Sequence, residues 1–190
     1  MRIVAGRHRG RRLVAPPGHD TRPTSDRVRE ALFNLLAHSI EWAGLQDAHV
    51  ADIFCGTGAV GLEALSRGAA FATFVDNDAA AIAATRTNIE TLGEGRRTSV
   101  LRNDATGRLP RPARAVDLAY LDPPYRQEIA PGVIVRLAEG GWLAPGALCV
   151  AELHRRAPFA LPSGFGIADD RHYGDTRLLF LRLEPAAGGT

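Results

Sequence analysis

The sequence predicts an α/β fold built on a mostly parallel sheet, and three observations predict it. From residue 48 onward, short apolar runs alternate with segments of helical spacing, the pattern of strands covered by helices on both faces. A glycine-rich turn, Gly56-Thr57-Gly58-Ala59-Val60-Gly61, falls between the first apolar run and the helix after it. Polar residues close several of the runs, at Asp76-Asn77, Asn103-Asp104 and Asp122. In open α/β sheets such strand ends line the ligand crevice.

Each element follows from its local pattern. Strands are expected at residues 49–54, 71–75, 98–101, 116–121 and 147–153, and helices at 59–67, 78–92 and around 128–139. Ahead of them, residues 2–5 and 11–15 flank a basic turn and read as a short β-hairpin, ended by Pro16-Pro17-Gly18. Arg22-Pro23-Thr24-Ser25 then introduces a helix, with Thr24 or Ser25 as its N-cap. Val28, Leu32, Leu35, Leu36 and Ile40 give that helix one apolar face, and Gly44 marks its end. Near the end of the chain the alternation breaks. Residues 171–176 read as a turn into a final antiparallel strand at 177–183, and 185–190 as a disordered tail. The expected units are a basic extension at 1–24, a catalytic domain at 25–184 and the tail at 185–190.

Composition narrows the classes. At 190 residues with 45% hydrophobic content, the chain is one globular domain with a small appendage. No apolar run is long enough to cross a membrane, and the first residues lack the apolar core of a secretory signal. The expected location is the cytoplasm. The two cysteines, Cys55 and Cys149, lie far apart and read as reduced core thiols. No Cys/His cluster has metal-ligand spacing, and no metal is expected. The six histidines do not cluster either, and Trp42 and Trp142 read as packing residues.

Charge is distributed unevenly. Residues 1–30 hold eight arginines against Asp20, Asp26 and Glu30, a local charge of +5 in a chain of net charge +2. The chain has no lysine, and all 23 basic residues are arginine. Composition bias accounts for arginine in place of lysine, but not for the crowding. Arg7, Arg9, Arg11, Arg12 and Arg22 read as a phosphate-binding arm.

The chemistry centres on Asp122-Pro123-Pro124-Tyr125, at the end of the apolar run 116–121. Each proline fixes φ and lacks an N–H, so the backbone there leaves the sheet. That frees the Pro123 carbonyl to face a ligand beside the Asp122 carboxylate, with Tyr125 as a stacking wall. Such a slot suits a planar group bearing an NH₂, such as a nucleobase. The glycine turn matches the spacing G-x-G-x-x-G, and Asp76 follows Gly56 by 20 residues, where a carboxylate binds ribose hydroxyls. Nicotinamide and S-adenosylmethionine enzymes share this plan. Asp52, just before the glycines, separates them: it would repel a pyrophosphate but suits the ammonium and sulfonium of S-adenosylmethionine. Asp104, with Ala105 after it, can accept from an adenine amino group. The expected cofactor contacts are Thr24, Asp52, Gly56, Thr57, Gly58, Asp76, Asn77, Asp104 and Ala105.

On these residues the chain resembles the class I S-adenosylmethionine-dependent methyltransferases, which are Rossmann-like. More narrowly, it resembles the bacterial RsmD-type 16S ribosomal RNA guanine-N2 methyltransferases. The resemblance covers nearly the whole chain. It includes Arg2-Ile3-Val4-Ala5-Gly6 with Arg9-Gly10-Arg11, the block from Thr21 to Phe33, Gly61-Leu62-Glu63-Ala64-Leu65-Ser66-Arg67-Gly68-Ala69, Asp122-Pro123-Pro124-Tyr125 and Tyr173-Gly174-Asp175-Thr176. Family members more often carry Glu where this chain has Asp76. The resemblance implies a seven-stranded sheet with a reversed final hairpin and a small N-terminal extension. It implies methyl transfer to the exocyclic N2 of one guanine of 16S rRNA, in the 30S subunit or an assembly intermediate; separately, a monomer is expected. Asp122 and Pro123 would hold the amine, with Asp122 a positioner first and a base second, and Tyr125 would stack on the base.

Rival functions are a DNA adenine-N6 methyltransferase, a protein glutamine methyltransferase, a nicotinamide oxidoreductase and a non-catalytic RNA-binding assembly factor. The slot itself specifies an exocyclic amine, while guanine over adenine comes from the resemblance.

Overall fold

The computed structural model describes residues 1–15, 26–124 and 129–184. The Thr24/Ser25 cap, Arg22, Tyr125 and the tail at 185–190 lie outside these residues. The five expected strands are present as β1 (His49–Ile53), β2 (Phe71–Asp76), β3 (Thr98–Arg102), β4 (Val116–Leu121) and β5 (Leu143–His154). The expected final strand is present as β7 (Thr176–Leu183), and with β6 (Phe165–Tyr173) it completes a sheet of order β3-β2-β1-β4-β5-β7-β6. β1 to β5 are parallel, whereas β7 runs antiparallel to β5 and to β6. This is the Rossmann-like methyltransferase architecture with its reversed final hairpin.

β6 corrects the sequence reading, which took residues 171–176 as turn. The turn narrows to Gly174-Asp175, and Arg171, His172 and Tyr173 belong to the strand. β6 is an edge strand with most residues outside the core, so its sequence carries little apolar alternation. Its Asp170 instead receives both Nε and Nη2 of Arg177 on β7, at 2.9 and 2.7 Å.

Helices α1 (Asp26–His38), α2 (Ala59–Ser66) and α3 (Ala79–Leu92) cover one face of the sheet, and α4 (Ala130–Glu139) covers the other. α1 stops at His38 rather than near Gly44: the Ile40 amide reaches back five residues to the Leu35 carbonyl, and the Leu36 carbonyl accepts from the Trp42 indole instead. The Asp78 carboxylate caps α3 by accepting from the Ala80 amide at 2.9 Å, and Gly93 ends that helix in the left-handed region. α2 is buried along its whole length.

The expected N-terminal hairpin is formed only in part: Ile3 donates to the Arg11 carbonyl and Gly10 to the Ile3 carbonyl, each at 2.9 Å, and Leu13 to the Met1 carbonyl at 3.1 Å. Residues 1–15 double back with one isolated antiparallel bridge, Arg2 to Arg12. It extends no further because α2 takes the amides that follow Ile3. Val4 and Ala5 donate to the Glu63 carboxylate at 2.7 and 2.9 Å. Arg7 donates to the Ser66 carbonyl and His8 to the Ser66 hydroxyl, each at 3.0 Å. Gly6 permits the approach: a Cβ there would lie 1.9 Å from the Ser66 carbonyl oxygen. Ile3 and Leu13 join the core of the α1–α3 face, so the segment is part of the globule.

Candidate active site

Strand order reverses between β1 and β4, so their carboxyl ends flank a crevice. Ile53 pairs with Leu121, and the Asp122 amide donates to the Ile53 carbonyl at 3.3 Å. The Asp122-Pro123 slot therefore begins directly across from the glycine turn. Asp122 is half-buried, Pro123 buried and Pro124 exposed.

The turn itself is tightly built. Phe54 opens it in the left-handed region (φ 61°), a conformation that bulky residues seldom adopt outside functional sites. The Cys55 amide stays bonded to the Val75 carbonyl, and the Gly58 amide closes onto the Cys55 carbonyl at 2.7 Å. Gly58 (φ 73°) and Gly61 lie against the Phe74 ring, where a Cβ on Gly61 would come within 2.4 Å. Gly56 (φ 54°) is different, since a Cβ there would meet open space. Its amide donates to Asp76 and its carbonyl accepts from the Thr85 hydroxyl, each at 2.9 Å, so what Gly56 offers a ligand is the space a side chain would fill.

The acids divide by environment. Asp52 is 2% exposed, and its Oδ2 accepts from the Gly61 amide at 2.8 Å, near the N-terminus of α2. Burial pushes its carboxyl up to about 7 and Asp76 adds to this, while the Gly61 amide and Arg29 pull it down. Asp76 accepts from the Gly56 amide and the Asp78 amide, each at 2.9 Å. It thereby ties the β2 end to the glycine turn. Asn77 is exposed. Asp104 is also exposed, and the Thr106 hydroxyl and amide hold its carboxyl below the usual range. Ala105 is buried beside it. The Thr57 side chain is occupied: its hydroxyl donates to the Met1 sulfur at 3.3 Å and its carbonyl accepts from Asn88 at 2.9 Å.

The family described as Conserved hypothetical protein 95 matches residues 1–182 of this chain. The chain belongs to this family. A relative, the Escherichia coli K12 protein named Ribosomal RNA small subunit methyltransferase D, is 41% identical over 152 residues, 80% of this chain and 74% of that one. The solved Escherichia coli protein yhhF, described as a candidate methyltransferase, superposes with a TM-score of 0.82 at 34% identity, covering 98% of this chain and 99% of that one. An RNA methyltransferase from Salinibacter ruber, solved with S-adenosyl-L-homocysteine, is 13% identical with a TM-score of 0.65, over 88% of this chain and 97% of that one, and shows the fold alone.

The family's N-terminal block and the segment 61–69 turn out to be two halves of one joint. Arg2 to His8 supply the amides, and Glu63 and Ser66 supply the acceptors. Behind the joint lies Arg29, fully buried, with Nη2 on Asp26 at 2.9 Å and on the Arg2 carbonyl. Its Nε faces Glu63 at 3.7 Å. The basic arm divides accordingly. Arg7 bonds the Leu65 carbonyl and pairs with Glu94, and Arg11 bonds the Thr91 carbonyl, while both stay exposed. Arg9 and Arg12 are exposed as well.

Sequence reasoning missed four site-supporting residues: Arg29, Glu63, Asn88 and Glu152. Glu152 is buried and accepts from the Tyr120 hydroxyl, whose residue pairs with Asp52 across β1 and β4. An acid inside the apolar run 147–153 was the available signal. Cys55 and Cys149 are free and buried. Trp142 packs fully buried, its indole N–H on the Pro110 carbonyl. Among the described residues no His/Cys/Asp/Glu group could hold a metal, and no helix is long and apolar enough to cross a membrane.

Proposed function

We propose that this protein transfers a methyl group from S-adenosylmethionine to the exocyclic N2 of a guanine in 16S rRNA. The carrying observation is the apposition of the Asp122-Pro123 slot and the glycine turn across β1 and β4. The family and the name of its Escherichia coli relative support RNA as the substrate. Residues 25–184 are the catalytic unit and residues 1–24 add RNA contacts through Arg9, Arg12 and Arg22. The protein acts in the cytoplasm as a monomer, on the 30S subunit or an assembly intermediate.

The residues fit the cofactor. Gly56 leaves open space beside the turn, Asp76 stands at the β2 end for ribose hydroxyls, and exposed Asp104 stands at the β3 end for an adenine amino group. Asp52 is near the turn as a counter-charge for the ammonium or sulfonium, and Thr24 and Asn77 complete the cradle. When bound, S-adenosylmethionine supplies an electrophilic methyl carrying its own leaving group. The work left to the protein is to hold the amine. Asp122 and the Pro123 carbonyl accept from N2–H, which turns the nitrogen lone pair toward the methyl and fixes the approach. Tyr125 stacks on the base, for which about 1–3 kcal/mol is typical. Asp122 then receives the proton, or water does.

The test uses 30S subunits from cells lacking the gene, radiolabelled S-adenosylmethionine, and naked 16S RNA and duplex DNA as alternatives. Labelled N2-methylguanosine from subunits, lost in Asp122→Ala with cofactor affinity retained, is the expected result. Label in DNA adenine, or full activity of Asp122→Ala, refutes the proposal.

A further inference from the structure

A basic cleft on the α4 face is not part of the site described above. It has a volume of about 540 Å³, and its lining includes Arg108, Arg111, Arg136, Glu139 and Trp142. Three guanidiniums face one carboxylate there, a net charge of +2. Elsewhere on the surface, arginines commonly pair with acids: Arg7 and Arg97 with Glu94, Arg171 with Asp169, Arg177 with Asp170. Arg108, Arg111 and Arg136 are exposed, and none of them has an ion-pair partner among the described residues.

The cleft is also held in shape. Trp142, fully buried, donates its indole N–H to the Pro110 carbonyl at 3.0 Å, pinning the loop between Arg108 and Arg111. Gly141 (φ 70°) leaves room for the Arg111 guanidinium, whose Nε would lie 3.5 Å from a Cβ there. Arg136 folds back one turn along α4, with Nη1 3.0 Å from where a Gly132 Cβ would be. That brings its charge toward the carboxyl edge of the sheet, near enough to act on Asp104. The cleft therefore runs from beside the β3 end, at Gly107, down α4 to Trp142.

We propose that this cleft binds the phosphodiester backbone of the small-subunit RNA substrate, as a second anchor on the opposite face of the sheet from Arg9 and Arg12. The proposal rests on the ribosomal RNA function argued above. Guanidiniums without acid partners match phosphate oxygens. No aromatic face is offered, since Trp142 is wholly buried, so the contact positions RNA without reading its bases. With the arm on the α1–α3 face and the cleft on the α4 face, RNA is held on both sides of the edge that carries Asp122.

The test measures binding of unmodified 30S subunits to the full-length protein across a salt series. Arg108→Ala/Arg111→Ala is compared with Arg9→Ala/Arg12→Ala, with the Lys pair at 108 and 111, and with wild type. Each lost phosphate contact lowers the slope of log affinity against log salt by about 0.7–0.9. The expected result is a slope reduced by about one to two in Arg108→Ala/Arg111→Ala. KM for subunits rises several-fold, kcat and cofactor affinity stay unchanged, and the Lys pair restores the slope. Should the double variant fail to fold, the charge reversal Arg108→Glu alone serves. An unchanged slope overturns the proposal. If Arg9→Ala/Arg12→Ala lowers the slope in that case, the RNA function stands and only the cleft falls. If neither does, the basic-arm assignment falls as well.

Discussion

Glu63→Gln is nearly isosteric and still predicted to be severe. The Glu63 carboxylate is fully buried and accepts from the Val4 amide at 2.7 Å, the Ala5 amide at 2.9 Å and Arg67 Nε at 2.8 Å. Oε2 serves Val4 and faces Arg29, while Oε1 serves Ala5 and Arg67. A glutamine amide replaces one oxygen with an NH₂. Either orientation sets a donor against a backbone N–H and a guanidinium. Arg29, fully buried with Nε and Nη1 already lacking a hydrogen-bond partner, also loses a neighbouring negative charge. Removing one partner of a buried charge pair typically costs about 3–5 kcal/mol. For a chain of this size that lowers Tm by roughly 6–20 °C. Thermal unfolding measures the loss, and amide exchange at Val4 and Ala5 locates it. A Tm within about 2 °C of wild type, with both amides still protected, would refute the account of how the N-terminal segment is held.

Other outcomes follow from the same geometry. Gly61→Ala drives a methyl to 2.4 Å from the ring of fully buried Phe74 and should cost about 1–3 kcal/mol in urea unfolding; an unchanged midpoint contradicts the packing described. Burial holds the Asp52 carboxyl at about 7. A cationic ligand beside it favours the ionised form, so cofactor affinity should rise between about pH 6 and pH 8 with proton release, and Asp52→Asn should flatten that rise; calorimetry in buffers of different ionisation enthalpy reads it directly. In the free protein the stability sign is the reverse: this acid ionises first in the unfolded chain, so its contribution is largest in acid and is lost as pH rises through about 7. Burial pushes the Cys149 thiol up to about 12 and the Cys55 thiol well above its usual value. A thiol reagent should leave both untouched in the native protein and label both after denaturation; fast native labelling of Cys55 would place it at the surface.

The apolar runs made β1 to β5 legible because strands buried on both faces leave continuous hydrophobic signatures. β6 left none, as an edge strand stabilised by Arg177–Asp170 pairing rather than by burial. The acids at strand ends were legible as a set, but their individual orientations were not. Asp52 turns to the start of α2 and Asp104 stays exposed, and nothing local to either residue distinguishes them. The N-terminal arginines read as one arm by composition. That Arg7 and Arg11 are tied down depends on Glu94, the Leu65 carbonyl and the Thr91 carbonyl, 58 to 87 positions downstream. No periodicity connects residues that far apart.

The joint between residues 1–15 and the two helices has a consequence for the order in which the molecule assembles. Its acceptors are Glu63 and Ser66 on α2, Asn88 on α3 and Glu94 just beyond. During synthesis this segment emerges before its acceptors and must wait for residues up to 94 before it can dock, and contacts of such long sequence separation form late and slowly. Until then a strongly cationic segment trails free beside the ribosome that is making it. Only the finished fold ties Arg7 and Arg11 to the globule, with both, like Arg9 and Arg12, still at the surface.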